Sequence, residues 1–379
     1  MSIQRLVRGD RVRYRARVKS HGREVATRVF DRKSDAVAWD QEQARRLRSG
    51  EWFDPRRGRV PLASLFPEWL ASRQGLKRKT QEADLSAWTN HVAPKFGHVP
   101  IASITEAQVS AWAGGLVAAG LSGSTASRYL STLRSMLAFA VADGRVSRNV
   151  AALVKPPKAG RARREGQFLS LEELEALALA CNGPYADVVR VLGLCGLRWG
   201  ELAGLQVGDR VKVPGEGLRL QRTVLASSSK GGLYVDTLKG RRSRTVALPS
   251  AVVPILDLWS AGKSSSAWVF SAPGGGPLSE SNWKRSVGWR EACAAIGRPA
   301  LRAHDLRHTA ASIWLGAGAD PKVVQRILGH ASAAMTMDLY GHLIDRNLWE
   351  AAQKVGGTTG ASDAATGKGK APDSGEKGA

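Results

Sequence analysis

The chain has 379 residues, which is too long for one compact core and predicts two or three domains. Its hydrophobic residues, 43% of the total, are numerous enough to form buried cores. Its formal net charge of +23 favours a polyanionic partner, most often a nucleic acid, over a merely soluble surface rich in arginine. The three cysteines have no CxxC spacing, which argues against a disulfide framework and a cysteine zinc site. The sequence shows no apolar run of membrane-spanning length and no signal-peptide core, so a cytoplasmic protein is expected.

The first part of the chain is predicted to form a small three-stranded sheet. The central strand, RVRYRARVK at residues 11–19, alternates strictly between basic and mostly apolar side chains, as a strand with one buried face does. Turn residues at 9–10 and 20–22 separate it from the flanking strands IQRLVR and REVATRVF. We therefore expect two antiparallel hairpins that share this strand.

A helix is expected after the sheet. Ser34 would cap it, and it would run to about Arg48 with Val37 and Ala44 facing inward. The segment PRRGRVP at residues 55–61 is too rich in Pro, Gly and Arg to be a helix or strand, and it is interpreted as a linker.

The region after this linker shows helical periodicity throughout. Four helices are predicted, with the sequences LASLFPEWLASR, TQEADLSAWTNHV, TEAQVSAWAGGLVAAG and the stretch of residues 124–143. Thr80 and Thr105 are the expected N-caps of the second and third helices, and Gly120 ends the third. The expected buried stripes are Leu85, Trp88 and Val92 in the second helix, and Tyr129, Leu133, Leu137 and Val141 in the fourth.

Two sets of basic residues are candidates for contact with DNA. On one face of the central strand they follow each other without an intervening acid: Arg11, Arg13, Arg15, Arg17 and Lys19. In the helical region they are Lys77, Arg78, Lys79, Arg128 and Arg134. The alternatives are an edge strand protected by charge for the first set and a solvated helix surface for the second.

A second basic linker, PPKAGRARREGQF, precedes the last large region. That region is predicted to begin with a helix capped by Ser170 and a second helix, PYADVVRVLGLCGLRWGELAGL, interrupted near Gly196. Within residues 217–248 three strands are expected, GLRLQRTVL, GGLYVDT and SRTVALP, before helices resume. Residues 357–379 are poor in hydrophobic residues and are expected to be disordered. The fold class predicted from these elements is multidomain α+β.

Four of the seven histidines cluster near the C-terminal end: His304, His308, His330 and His342. A helix over residues 303–316 places His304 and Arg307 on one face. A second helix, PKVVQRILGH, would begin at Pro321 and end at Gly329. Its predicted buried stripe is Val323, Val324, Ile327 and Leu328. Tyr340, one of five tyrosines, follows ten residues after His330.

Two chemical interpretations compete for this cluster. HDLRH resembles the HExxH zinc helix, but its acid is Asp and the Arg inside it would repel a dication. The other interpretation is phosphate chemistry, in which guanidiniums grip anionic oxygens, an imidazole moves a proton near neutral pH and a tyrosine attacks. His308 and His342, each taken singly, also fit an ordinary structural histidine.

These motifs, in this order, resemble the tyrosine recombinases, and among them the phage-type integrases with an N-terminal arm-binding domain. The resemblance runs from residue 1 to about 355. CGLRWGEL matches the first catalytic arginine at Arg198, with Glu201 as its supporting acid, and LKGRRSRTVALP places the hairpin lysine at Lys239. The remaining matches are HDLRHT with His304 and Arg307, LGH with His330, and the nucleophile Tyr340. VAPKFGHVPIASIT and LSGSTASRYLSTLR match the core-binding domain.

The resemblance implies a domain organisation and a mechanism. Residues 1–60 would bind arm-type DNA, 61–157 would form a helical core-binding domain, 165–356 a mainly α catalytic domain with a small β-sheet, and 357–379 a tail. Strands would be cleaved and rejoined through a 3′-phosphotyrosyl intermediate, without a metal or other cofactor. The expected result is integration of a phage or mobile element, with excision as the second expected reaction.

The implied partners are core-type and arm-type double-stranded DNA sites, a homotetramer on DNA, a host DNA-bending protein and a directionality factor. The implied location is the bacterial host cytoplasm, in association with the nucleoid. A helix over residues 345–355 is expected to dock onto a neighbouring subunit.

Three other functions stay open at this stage. A type IB topoisomerase would use the same chemistry without exchanging partners, although it needs no second DNA-binding domain. A DNA-binding regulator would lack chemistry altogether, and a zinc hydrolase would use the two histidines of HDLRH.

Overall fold

The structure is a computed structural model that describes residues 2–8, 10–20, 23–48, 56–156, 167–227, 231–238 and 243–329. These residues divide into two compact units: residues 2–156 with Ser227, and the described residues of 167–226 and 231–329. The first unit holds both regions that the sequence assigns to separate domains, and that assignment stays a prediction. Within the described residues, no helix is both long and apolar enough to cross a membrane.

The first unit begins with an antiparallel sheet in the order β1-β2-β3 and a helix packed on it. The elements are β1 Ser2–Arg8, β2 Arg11–Ser20, β3 Arg23–Phe30 and α1 Lys33–Arg48. The predicted alternation of β2 is confirmed, because Ala16 and Val18 are buried while the basic residues lie on the other face.

Two details of the helix prediction are wrong. α1 begins at Lys33, so Ser34 lies within its first turn, and the buried residues are Ala36 and Asp40 instead of Val37 and Ala44. Ala36 and Asp40 are one helical turn apart, so together they form the stripe that faces the sheet.

The rest of the first unit is helical, as predicted. Its helices are α2 Leu62–Ala71, α3 Arg78–Ala87, α4 Ala93–Phe96, α5 Glu106–Ala118 and α6 Gly123–Ala142. Trp69, Phe96, Leu130, Leu133 and Met136 are fully buried and form the centre of its core. The capping box of Thr105 with Gln108 confirms the predicted start of α5.

The second helix of this region differs from its prediction. It begins at Arg78 after Lys77, because Thr80 already donates its backbone N–H to the Lys77 carbonyl at 2.8 Å. A π-helical turn, Trp88–Val92, joins α3 to α4. The buried side of α3 is formed by Asp84 and Ala87 and continues to Trp88 and Val92, so Leu85 lies beside it and is 39% exposed.

The second unit contains the remaining helices and two small antiparallel sheets, with strand orders β4-β5-β8 and β6-β7. The strands are β4 Arg210–Val211, β5 Gly217–Leu220, β6 Arg222–Ala226, β7 Leu233–Thr237 and β8 Arg244–Ala247. The helices are α7 Leu171–Ala180, α8 Asp187–Cys195, α9 Trp199–Ala203, α10 Val253–Ser260, α11 Glu280–Ser286, α12 Trp289–Ala295, α13 Asp305–Gly316 and α14 Pro321–Leu328.

The predicted strand GLRLQRTVL is in fact two strands in two sheets. Gln221 interrupts it, donating its side-chain amide to the buried carboxylate of Asp209 at 3.1 Å. Arg222 binds the same carboxylate at 2.5 Å. Because these bonds hold residues 221 and 222 to the loop before β4, the chain changes direction there, and a single sheet becomes two.

The core of the second unit is centred on α8, whose Val188, Val189, Val191 and Leu192 are buried. α7 and α13 both pack on this helix, and the capping box of Ser170 with Glu173 confirms the predicted start of α7. This packing places the N-terminal end of α13 close to the C-terminal end of α8.

Candidate active site

The loop between α8 and α9 positions Arg198. Gly196 ends α8 in the left-handed conformation, with φ of 65°. A Cβ there would lie 2.6 Å from Cδ2 of Leu328, so both the backbone and the lack of space require glycine. The helix is therefore interrupted as predicted, and Arg198 lies in extended conformation as the residue before α9.

The carboxylate of Glu201 binds two arginines. Its Oε2 accepts the backbone N–H of Arg198 at 2.9 Å, and its Oε1 accepts Nη1 of Arg198 at 2.8 Å. Arg244 at the start of β8 donates Nη1 and Nη2 to the same two oxygens, each at 2.8 Å. Glu201 is only 3% exposed, so these guanidiniums supply the positive charge that its burial requires.

This pairing keeps Glu201 ionised. Burial acts to raise the pKa of Glu201, but the hydrogen bond and charge of Arg244, with the backbone N–H and charge of Arg198, outweigh it and lower the pKa to about 2. The carboxylate is therefore an anion over the whole physiological range.

Arg307 lies on the buried side of α13, with 4% of its surface exposed. Its Nη1 donates to the carbonyl of Gly196 at 2.6 Å and its Nη2 to the carbonyl of Leu328. The turn that leads into α13 is fixed by Asp305, which accepts Nη2 of Arg302 at 2.6 Å. These bonds hold the HDLRH segment against the C-terminal ends of α8 and α14.

Three of the described guanidiniums meet at the C-terminal end of α14. Gly329 ends this helix with φ of 65°, as predicted, and the last turn leaves backbone carbonyls without helical partners. Arg244 donates to the carbonyl of Ile327 at 3.0 Å, Arg307 to that of Leu328, and Arg198 to that of Gly329 at 3.3 Å. Arg198 and Arg307 therefore reach the carbonyl groups of two consecutive residues. The predicted buried stripe of α14 holds for Val324, Ile327 and Leu328, but Val323 is 45% exposed.

His304 lies at the start of α13 beside these arginines. Its ring and that of His308 meet edge to face, with centroids 5.5 Å apart. Partial burial and the charge of Arg307 lower the pKa of His304, and burial and the neighbouring His304 lower the pKa of His308. Both imidazoles are thus neutral at pH 7, and a neutral imidazole can accept a proton.

The structure brings together four of the residues singled out from the sequence: Arg198, Glu201, His304 and Arg307. Three others, Lys239, His330 and Tyr340, lie outside the described residues, as do residues 345–355 and the predicted tail at 357–379. Across the described residues, no group of three or more His, Cys, Asp or Glu side chains is placed to hold a metal ion.

Sequence reasoning missed Arg244, which it used only to find the register of Lys239. Charge balance favours a second cation beside the buried Glu201, but the burial of Glu201 is known only from the structure. Several arginines precede β8, so the pattern alone did not identify the one that supplies it.

The basic face of β2 has acidic neighbours that its own strand does not reveal. Arg13 pairs with Asp31 at 3.0 Å, and Arg17 lies 3.8 Å from Glu24 on β3. A register shift after Val18 pairs Lys19 with Glu24 as well. The role of this face, including Arg11 and Arg15, stays a prediction.

The candidates in the helical region differ in their surroundings. Arg134 donates to the carbonyls of Ala151 at 3.0 Å and Val154 at 2.7 Å, which ties the segment after α6 to that helix. Arg78 binds Glu82 at 3.0 Å, Arg128 lies over the ring of Tyr129, and Lys77 precedes the first residue of α3. Contact of these residues with DNA stays a prediction, and Arg134 already has a structural role.

Comparisons with known proteins give one consistent result. A family model described as the phage integrase family matches residues 167–346, and one described as the phage integrase central domain matches residues 62–156. The integrase of Mycobacterium phage D29 is 30% identical over 324 residues, which cover 82% of this chain and 84% of that protein.

Solved structures share the fold. The Tn1549 transposon integrase in complex with a circular intermediate DNA has a TM-score of 0.63 and 19% identity, covering 74% of this chain and 95% of that one. A lambda integrase tetramer bound to a Holliday junction has a TM-score of 0.52 and 19% identity, covering 87% of this chain and 96% of that one.

Proposed function

The chain belongs to the phage integrase family and is a site-specific tyrosine recombinase, and from this premise we propose that it cleaves and rejoins DNA through a 3′-phosphotyrosyl bond at Tyr340. One observation carries the proposal. Arg198, which precedes α9, and Arg307, on α13, converge on the carbonyls of two consecutive residues at the end of α14. This convergence supports the proposal, because two neighbouring guanidiniums can bind two oxygens of one phosphate.

The substrate is a phosphodiester, which is a poor electrophile because it is already anionic. Arg198 and Arg307 stabilise the charge that grows on the nonbridging oxygens as the pentavalent state forms. Removing one such donor typically lowers the rate by about 100–1,000-fold. The positive charge of the arginines thus acts in the step in which Tyr340 attacks phosphorus.

The other residues move protons. His304, neutral at pH 7, accepts the proton of the attacking tyrosine, and Lys239 protonates the leaving 5′-oxygen. His330 donates a further hydrogen bond to the phosphate. Because the phosphate remains an ester on Tyr340, a 5′-hydroxyl of a partner strand reverses the step without ATP, which is how integration and excision of a phage or mobile element would proceed.

The partners that follow are duplex DNA sites of core and arm type, bound by a homotetramer. The net charge of +23 and the basic face of β2 support the DNA partner, and the lambda integrase that resembles this chain is a tetramer on a Holliday junction. A host DNA-bending protein and a directionality factor are the further partners that an integrase of this type would use.

A trapped covalent complex tests the proposal. The full chain is incubated with a library of nicked duplexes that carry a randomised core, so that cleavage releases a short fragment and leaves protein attached to DNA. We expect an adduct with the unaltered chain and with Tyr185→Phe, and none with Tyr340→Phe. An adduct that survives Tyr340→Phe, or no adduct at all, contradicts the proposal. Joining of two differently labelled duplexes separates recombination from topoisomerase activity.

A further inference from the structure

We propose that Arg244 is the positioning residue of the active site, and that by holding both oxygens of Glu201 it fixes the direction of the Arg198 guanidinium. The inference rests on the proposed function, in which Arg198 contacts the scissile phosphate. It assigns no contact with the substrate to Arg244 itself.

The geometry around Glu201 is shared between the two arginines. Oε1 accepts one N–H from the side chain of each arginine, and Oε2 accepts the backbone N–H of Arg198 and Nη2 of Arg244. Arg244 thus makes the planar two-pronged contact, while the Arg198 side chain has a single bond to the carboxylate. A two-pronged contact fixes the plane of a carboxylate, whereas a single bond leaves rotation about it free.

Arg244 is also the more firmly held of the two. Its side chain is 15% exposed against 34% for Arg198, and its Nε donates to the carbonyl of Ile327 at 3.0 Å. Gly329 lies against it, because a Cβ at that position would be 3.1 Å from its Cδ. Arg244 is therefore anchored from two sides. The partly exposed Arg198 has a short bond, 2.8 Å, to the carboxylate that Arg244 holds and a longer one, 3.3 Å, to the carbonyl of Gly329, so the carboxylate is the stronger constraint on its direction.

The charges of Arg198, Glu201 and Arg244 also determine the net charge of the site. Arg198 and Glu201 alone would sum to zero, and the carboxylate would cancel the charge that the phosphate needs. With Arg244 the cluster carries a net charge of +1, so Glu201 orients Arg198 without neutralising the site. An oriented positive charge is what stabilises a developing oxyanion.

A double-mutant cycle on single-turnover cleavage tests whether Arg244 acts through Arg198. The full chain is compared with Arg244→Met, Arg198→Ala and the double variant, at saturating DNA. We expect Arg244→Met to slow cleavage about 100-fold, the size of loss that misplacement of a catalytic group produces. The double variant should be no slower than Arg198→Ala alone to within about threefold, because residues that act as one unit are not additive.

Matched controls separate positioning from folding. Arg210 lies on β4, in the same sheet as Arg244, and 17% of its side chain is exposed. It also binds two carboxylates, those of Glu216 and Asp257. Arg210→Met should cleave at the unaltered rate. In a Tyr340→Phe background, Arg244→Met should bind DNA with unchanged affinity, and Arg244→Lys, which keeps the charge and loses the two-pronged contact, should recover part of the cleavage rate.

The outcomes distinguish this inference from the proposed function. If the unaltered chain forms the Tyr340 adduct and the effects of Arg244→Met and Arg198→Ala multiply, the positioning role is wrong and the function stands. If Arg244→Met loses its cooperative unfolding transition, the same cycle is run with Arg244→Lys. The inference is then overturned if the rate losses of Arg244→Lys and Arg198→Ala multiply in the double variant. If the unaltered chain forms no adduct, both fall together.

Discussion

At the scale of single residues, the site is a set of charges whose burial has to be balanced. Glu201 is an anion in a nearly closed space, and the two guanidiniums around it remove the cost of that burial only while all three are ionised. Burial and the charge of Arg307 lower the pKa of His304, and burial and the neighbouring His304 lower the pKa of His308, so the site is cationic at its guanidiniums and neutral at His304.

Replacing Glu201 by glutamine tests this balance. At pH 7 Glu201→Gln should lower the free energy of unfolding by about 3 kcal/mol, because the largely buried guanidinium of Arg244 and the partly exposed one of Arg198 both lose their anion. Since the pKa of Glu201 in the folded chain, about 2, lies below its ordinary 4.5, the stabilisation is present above pH 4.5 and is lost as the pH falls towards 2. Urea unfolding of both proteins between pH 7 and pH 3 should show their difference shrinking.

The control for that measurement is Glu280→Gln, which removes an exposed pair with Lys284 and should cost less than about 1 kcal/mol. A Glu201→Gln variant that unfolds like the control, with a difference that does not depend on pH, would refute the charge balance.

The protonation of His304 gives a second prediction at this scale. Because burial and Arg307 lower its pKa below the ordinary 6.5, cleavage should be constant around neutral pH and fall only on the acid side of 6.5, where the imidazole takes up a proton. His304→Gln should be about 100-fold slower and should lack this fall. The exposed His98→Gln serves as control and should keep the unaltered profile. An acid fall that persists in His304→Gln shows that another group accepts the proton.

At the scale of elements, two glycines shape the site. Gly196 ends α8 and Gly329 ends α14, and the carbonyl of each accepts a hydrogen bond from an arginine of the candidate site: Gly196 from Arg307, and Gly329 from Arg198. Both helix ends were predictable, because a glycine after an apolar periodic run is a strong local stop signal. The sequence could not reveal that the two ends meet, since this depends on the packing of α13 on α8.

Substitution at Gly196 measures how much that meeting contributes. Gly196→Ala should destabilise the chain more than Gly297→Ala, although both positions have positive φ, 65° and 72°. Each should lose about 1–2 kcal/mol to the left-handed backbone. Only Gly196→Ala should lose a further 1–3 kcal/mol or so, because its methyl group would meet Leu328, whereas a methyl group at position 297 would have nothing beyond its chain neighbours within 4 Å. Thermal or urea unfolding provides the comparison, and equal losses would show that the space beside Leu328 is not needed.

Errors of the sequence interpretation also arose at the scale of elements. Thr80 and Ser34 have the chemistry of N-caps, but in each case a residue before them is already helical, so local preference did not decide the boundary. GLRLQRTVL has uniform strand character, and its division depends on a buried carboxylate, Asp209, that lies earlier in the chain. Contacts between distant segments decided what local pattern could not.

At the scale of the whole molecule, the excess of positive charge, +23, could be predicted from composition alone. The motifs predicted which residues of the second unit would converge, and the structure places Arg198, His304 and Arg307 together. Arg244 was not found, because its importance depends on the three-dimensional position of Glu201. The acids beside β2, Asp31 and Glu24, were not predicted for the same reason, since they come from neighbouring segments of the chain.

Salt dependence of DNA binding tests the basic face of the sheet. Each phosphate contact contributes about 0.9 to the slope of log affinity against log salt, so Arg11→Gln with Arg15→Gln should reduce the slope by about 1.8. The control pair, Arg5→Gln with Arg28→Gln, removes the same charge from the opposite face, because Arg5 pairs with Tyr14 and Arg28 with Ala16 in the sheet. Titration of a short duplex of arbitrary sequence by the full chain gives both slopes. Equal slopes for the two pairs would show that this face does not carry the contacts.

The most direct test of the central claim is to find the atom that becomes bonded to DNA. The adduct formed on a nicked duplex is digested with nuclease and trypsin, and the linked peptide is identified by mass spectrometry. We predict that the peptide of residues 327–346 carries a 3′-linked nucleotide on the phenol oxygen of Tyr340. A nucleotide on any other residue would contradict the account, as would a 5′-linked one on this tyrosine.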